Sequence, residues 1–139
     1  TKTVPQGITA MMNVDFDASA AEEITAAMTE SLSTVVTAQV TYAARDSDFD
    51  GFDIKAGDYL AMEEGQLFGT DGSLSTLLER LAASAQEKAS SFISLYFGED
   101  VSQEDAEQAG KFFEAACPDA EVAVLSGGQP VYYYIISME

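Results

Sequence analysis

The sequence predicts a mixed α/β fold: a sheet holding a βαβ unit beside an antiparallel meander, with about three helices. Three observations carry that prediction. The C-terminal third reads strand–helix–strand–strand, with runs at Ser91–Phe97, Ala120–Leu125 and Val131–Met138 around a segment of helical spacing; that order is typical of a sheet with a right-handed crossover. The middle of the chain alternates apolar and polar residues at period two between turn residues, as half-buried strands do. Leu74, Leu77, Leu78, Leu81, Ala82 and Ala85 form one stripe at helical spacing, the face a helix lays on a core.

Each element has its own local reason. Residues 1–15 mix polar and apolar side chains around Pro5 and Gly7, with a short helix over about Gln6–Met12, and are expected to be a remnant of a preceding segment. Ser19-Ala20-Ala21-Glu22 reads as a capping box opening a helix over about 19–31, in which Ala20, Ile24, Ala27 and Met28 keep helical spacing. In Thr34–Ala44, Val36, Ala38, Val40 and Tyr42 alternate with Thr37, Gln39 and Thr41, a half-buried strand. Arg45–Gly57 is turn-rich, Asp58–Glu63 is a second strand, Glu64-Gly65 a turn and Gln66–Gly69 a third strand. Ser73 caps the leucine-striped helix. Ser102-Gln103-Glu104-Asp105 resembles a capping box with Asp in place of Glu, and Ala106, Ala109, Phe113 and Ala116 follow until Pro118 stops the helix. Ser126–Pro130 is a turn into the last strand. Tyr132, Tyr133 and Tyr134 fall in that strand, so Tyr133 faces opposite to its neighbours and one face joins the core.

The chain of 139 residues, 47% hydrophobic and 10% aromatic, has the length of one domain and enough apolar surface for a core without disulfides or metals. It opens with Thr1-Lys2-Thr3-Val4-Pro5, which reads as the middle of a longer protein, so residues 1–139 are expected to be a single-domain fragment. Twenty-four acidic residues stand against six basic ones, for a formal net charge of −18. The cations Lys2, Arg45, Lys55, Arg80, Lys88 and Lys111 are scattered. Nucleic acid and anionic membrane surfaces, which need clustered Lys and Arg, are excluded as partners; a basic protein partner, or simply a solvated surface, suits the charge. The lone Cys117 excludes an internal disulfide or a multi-cysteine zinc site, fits a cytoplasmic location, and reads as a buried small hydrophobe. No run reaches membrane-spanning length and there is no signal peptide.

Catalytic inventory is thin. Asp46-Ser47-Asp48-Phe49-Asp50-Gly51 opens like a calcium loop, but the twelfth position, where a bidentate Glu belongs, is Gly57; a solvated acidic connection between strands is favoured. There is no histidine, so no Ser–His or Cys–His pair exists. Gly127-Gly128-Gln129-Pro130 lacks the Lys of a phosphate-binding loop and reads as a tight turn. The carboxylate pairs, such as Glu22/Glu23 and Glu63/Glu64, lie in polar surroundings. No catalytic, cofactor-binding or metal-binding residue is assigned.

Five stretches in order resemble one family. They are Thr1–Ile8; Met28-Thr29-Glu30 with Ala38–Asp46; Ile54–Tyr59; Tyr96–Val101; and, closely, the ending Gly127–Glu139. Together they resemble the C-terminal region of the bacterial fatty acid kinase A (YloV-type) proteins, relatives of the dihydroxyacetone kinases, across essentially the whole chain. The resemblance implies a fold like that of DegV-type proteins and of the dihydroxyacetone-binding kinase subunit. It implies a parent kinase whose ATP and Mg²⁺ site, built on Asp residues, lies in an N-terminal domain with no counterpart here, so that this fragment carries no cofactor. It also implies docking of a DegV-type fatty acid-binding carrier. Arg45, Asp46, Asp58, Gln129 and Tyr132, polar or aromatic groups at strand ends and turns of the matching segments, are the expected partner contacts. Two other readings stay open: a small-molecule domain for a lipid or dihydroxyacetone-like ligand, and a structural module that dimerises or supports the other kinase domains.

Overall fold

The computed structural model describes residues 1–49 and 51–139. The elements in order are α1 (Val4–Met12), α2 (Ala21–Leu32), β1 (Val36–Tyr42), β2 (Ser47–Phe49), β3 (Phe52–Ile54), β4 (Tyr59–Glu63), β5 (Gln66–Asp71), α3 (Leu74–Glu87), β6 (Phe92–Phe97), α4 (Gln103–Ala116), β7 (Glu121–Ser126) and β8 (Tyr134–Met138). The α/β class holds, with four helices among the described residues where about three were expected.

Six strands form one mixed sheet in the order β5-β4-β1-β8-β6-β7. The β5–β4–β1 half is the expected antiparallel meander, with a register shift between Ala61 and Met62. β6 and β7 pair in parallel across α4, as the βαβ reading required. β8 returns antiparallel between β1 and β6, so the chain leaving β7 must cross the end of β6 to reach its place. One face carries Ala38, Val40, Ala61, Ile93, Leu95 and Ile136, all fully buried. Against it lie α3, through Leu77, Leu78 and Leu81, and α4, through Ala106, Ala109 and Phe113. Burying a leucine side chain contributes roughly 1.5–3 kcal/mol, so the leucine stripe anchors α3. Where α4 crosses β7, Gly110 leaves no room for a Cβ beside Val124.

The helix ends follow side-chain chemistry, with one exception. Ser73 and Ser102 cap α3 and α4 by accepting from the backbone N–H of Thr76 and Asp105. α1 starts two residues before the expected Gln6, because the Thr3 hydroxyl accepts from the Gln6 N–H and Pro5 is tolerated in a first turn. The exception is Ser19. The N-cap of α2 is Ala20, which has no capping hydrogen bond. The helix begins one residue later than a Ser19 cap requires, and only the acidic first turn of Glu22 and Glu23 suits the helix dipole there.

α1 is tied to the domain by polar contacts: the Thr3 and Thr37 hydroxyls lie 2.8 Å apart, and Thr9 donates to Glu139 at 3.0 Å. Its outward side leaves Val4, Ile8, Met11 and Met12 exposed. The turn-rich stretch after β1 contains a small hairpin, β2–β3, pairing Ser47 with Ile54 and Phe49 with Phe52. The calcium-like reading falls partly on Asp50, outside the described residues; among those described, no group of three or more acidic or thiol side chains is placed to hold a metal ion.

A second correction concerns the tyrosine run. β8 begins at Tyr134, three residues after the expected start at Val131, and only Tyr134 of the three tyrosines is in the strand. Val131 sits at φ 71°. The crossing over β6 decides this: the N–H groups of Gly127 and Gly128 donate to Phe97 O, that of Glu99 to Gln129 O, and that of Gly98 to Tyr133 O. Tyr133 already bridges both neighbours, its N–H donating to Val40 O of β1 and its O accepting from Gly98, but the Tyr132 N–H turns back to Pro130 O, so the regular ladder starts only at Tyr134.

Candidate functional site

The pairing registers bring one set of strand ends together. Tyr42, ending β1, is opposite Tyr59, which starts β4, and Tyr59 is opposite Asp71, which ends β5. Tyr134, which starts β8, is opposite Val40 and Phe97. Ser126 ends β7 beside Phe97. α3 and α4 both start at this end, just after β5 and β6.

A tyrosine cluster closes it. Tyr133 stands edge-on to Tyr42 at 6.0 Å and to Tyr59 at 5.6 Å between ring centroids, a geometry that pairs ring edge with ring face. Tyr59 and Tyr133 pack on the core. Beside them, between the first turns of α3 and α4, opens a cleft of about 480 Å³, within the range of ligand pockets. Leu74, Leu78, Val101 and Phe112 give it an apolar floor; Tyr59, Tyr133, Asp100, Asp105 and Gln108 supply the polar groups. Ser102 donates its hydroxyl to Asp105 at 2.7 Å, which fixes one oxygen of that carboxylate. Burial, then the neighbouring Tyr59, then the Asp100 charge, push the Tyr133 phenol up. Burial, then the Asp105 charge, push that of Tyr134 up to about 12. Both phenols therefore stay neutral hydrogen-bonding groups at physiological pH.

All five residues expected to touch a partner lie at this end of the sheet, several of them with structural duties. Arg45 is exposed. Asp46 accepts from the Ala56 N–H at 2.8 Å and Asp58 from the Lys55 N–H at 3.0 Å, holding the connection from β3 to β4. Gln129 donates to Tyr96 O at 2.8 Å, pinning the crossing. Tyr132 is half-buried. The cleft residues Asp100, Asp105, Tyr59 and Phe112 were not among those expected. The only sequence signal of Asp100, Asp105 and Tyr59 was position, near helix starts and strand ends, which many surface residues share; Phe112, in the third turn of α4, carried none.

The family model for the C-terminal part of FakA-like fatty acid kinase proteins matches residues 1–139. This chain belongs to that family. Its relatives agree with the match. Protein YloV of Bacillus subtilis is 36% identical over 140 residues, covering 99% of this chain. An uncharacterized protein of Staphylococcus aureus strain USA300 is 33% identical over 139 residues, covering all of it. In each case the chain spans a quarter of the relative's length (25%). Solved structures share the fold at low identity. A DegV family protein of Corynebacterium glutamicum aligns with TM-score 0.62 at 16% identity, over 96% of this chain and 58% of that one. The fatty acid kinase B3 protein of Streptococcus pneumoniae, loaded with linoleic acid, aligns with TM-score 0.57 at 12% identity, over 85% and 49%. The FakA-like C-terminal family and the DegV-type proteins thus share an architecture. No helix among the described residues is long and apolar enough to cross a membrane.

Proposed function

We propose that this chain is a non-catalytic docking module of a fatty acid kinase, which presents the kinase to a DegV-type fatty acid-binding carrier in the cytoplasm. The observation that carries the reading is the family match over residues 1–139. The sequence itself supports the non-catalytic part: it has no histidine, and nothing in it corresponds to a phosphate-binding loop. In this reading ATP and Mg²⁺ belong to another domain of the parent kinase, and acyl phosphate is made there. The net charge of −18 favours a partner with a basic surface and accelerates encounter with it. The shared end of the sheet, where Arg45, Asp46, Asp58, Gln129 and Tyr132 meet the tyrosine cluster, is the face offered.

Calorimetric titration of the folded chain with a DegV-type fatty acid-binding protein from the same organism, at low and moderate salt, tests the reading. Saturable binding that weakens as salt rises is expected, because exposed charges are screened beyond roughly 10 Å at about 0.1 M salt. No binding at either salt concentration refutes the docking role.

A further inference from the structure

The lining of the cleft between α3 and α4 selects the charge of what enters it. Its two carboxylates, Asp100 and Asp105, have no basic partner: the ion pairs among the described residues are Lys55–Asp53 and Lys88–Glu63, and no Lys or Arg lines the cleft. The phenols of Tyr133 and Tyr134 feel these carboxylates. An anion would meet two like charges. The start of α4 offers it little in return, since the Asp105 N–H already donates to Ser102 and Glu104 and Asp105 occupy the first turn. A fatty carboxylate or a phosphate is therefore the wrong ligand. A cation on an apolar stem is the right one. Three or four methylenes can lie on Leu74 and Phe112, while the charged head meets the tyrosine rings and the carboxylates. Those are the features of an arginine or lysine side chain, with the planar guanidinium of arginine matching both ring and carboxylate.

We propose that this cleft is the socket for one arginine or lysine side chain of the docking partner. A protein side chain is chosen over a free amine because the cleft opens at the same end of the sheet as the expected contact residues; the inference rests on the docking reading above. The remaining acidic surface draws the partner in, and the socket fixes where it seats.

The test has two arms. In the first, the isotope-labelled chain is titrated with a capped arginine amide, and with a capped glutamate amide as the anionic contrast, by NMR. Saturable shifts clustered on residues 100–109 and Tyr133 are expected for arginine alone. Asp100→Asn and Asp105→Asn should each weaken them about threefold, and together about tenfold or more. Asp100 is an exposed loop residue, so its variant keeps the fold, and the amide oxygen introduced by Asp105→Asn still accepts from Ser102. Shifts scattered over the acidic surface, equal binding of glutamate, or no effect of either variant overturns the socket. In the second arm the DegV-type partner is titrated into the wild-type and doubly substituted chains. About tenfold weaker binding of the double variant is expected. Unchanged affinity overturns the socket and leaves docking standing; no partner binding by a wild-type chain that still takes up capped arginine overturns docking and leaves the cleft's cation preference standing.

Discussion

Gly98 lies beneath the main-chain carbonyl of Tyr132, in space that a Cβ could not share with that oxygen or with the carbonyl of Gln129. The contact exists because the β7–β8 connection must pass over the end of β6 to reach its place in the sheet. Gly98→Ala pushes backbone against backbone, with no flexible side chain to yield. Overpacking of this kind costs roughly 1–3 kcal/mol, and the upper end is expected here. Urea unfolding would show the lowered midpoint. The tyrosine cluster should loosen with it, visible as narrowed dispersion of the Tyr133 ring resonances.

Tyr134 makes stability depend on pH at the alkaline end. Its phenol rises from the ordinary 10.0 to about 12 in the folded chain. Below about pH 10 it is protonated folded and unfolded, and its contribution to stability is fully present. As pH rises through that value the unfolded chain releases the proton and the folded chain does not, so stability falls, by on the order of 2 kcal/mol once the folded value is passed. Tyr134→Phe removes this dependence on pH. Its hydroxyl donates to Asp105 O only at a long 3.5 Å, so little is lost near neutrality. Urea midpoints at about pH 8 and about pH 11 should therefore fall more in the wild-type chain than in the variant; equal slopes would refute the assignment.

The uncapped start of α2 is a place to gain stability. Ala20 has extended backbone angles suited to an N-cap, and no side chain to fill the role. Ala20→Ser is expected to stabilise the chain by about 1 kcal/mol, read as a raised thermal midpoint. A neutral result would mean that the N–H groups of that first turn are already satisfied by water.

Cys117 ends α4, buried, with its sulfur 3.9 Å from Ala82 O. Burial pushes the thiol up, which lowers the fraction of reactive thiolate. A disulfide-exchange reagent at about pH 8 should label it slowly in the native chain and completely in denaturant. Rapid native labelling would mean that the region around Pro118 opens easily.

The sequence by itself determined the α/β class, the meander, the βαβ unit, the capping of α3 and α4 by Ser73 and Ser102, and the family. These are written in local periodicity, in residues adjacent along the chain and in ordered matching segments, so no long-range contact is needed to read them. Ser19 misled because a capping box is a pattern many loops share, and the backbone beyond it, not the pattern, sets where α2 begins. The fate of Tyr132 and Tyr133 was decided only by tertiary structure. Their apolar run is strand-like, but the place left for β8 between β1 and β6 obliges the preceding residues to cross the end of β6: the Tyr132 N–H turns back to Pro130 O, and Tyr133 spans the two neighbours, donating to Val40 O and accepting from Gly98. The cleft was illegible for the same reason. Tyr59, Asp100, Phe112 and Tyr133 come from four separate stretches, and only the registers of five strand pairs in the sheet and the seating of two helices bring their side chains around one space.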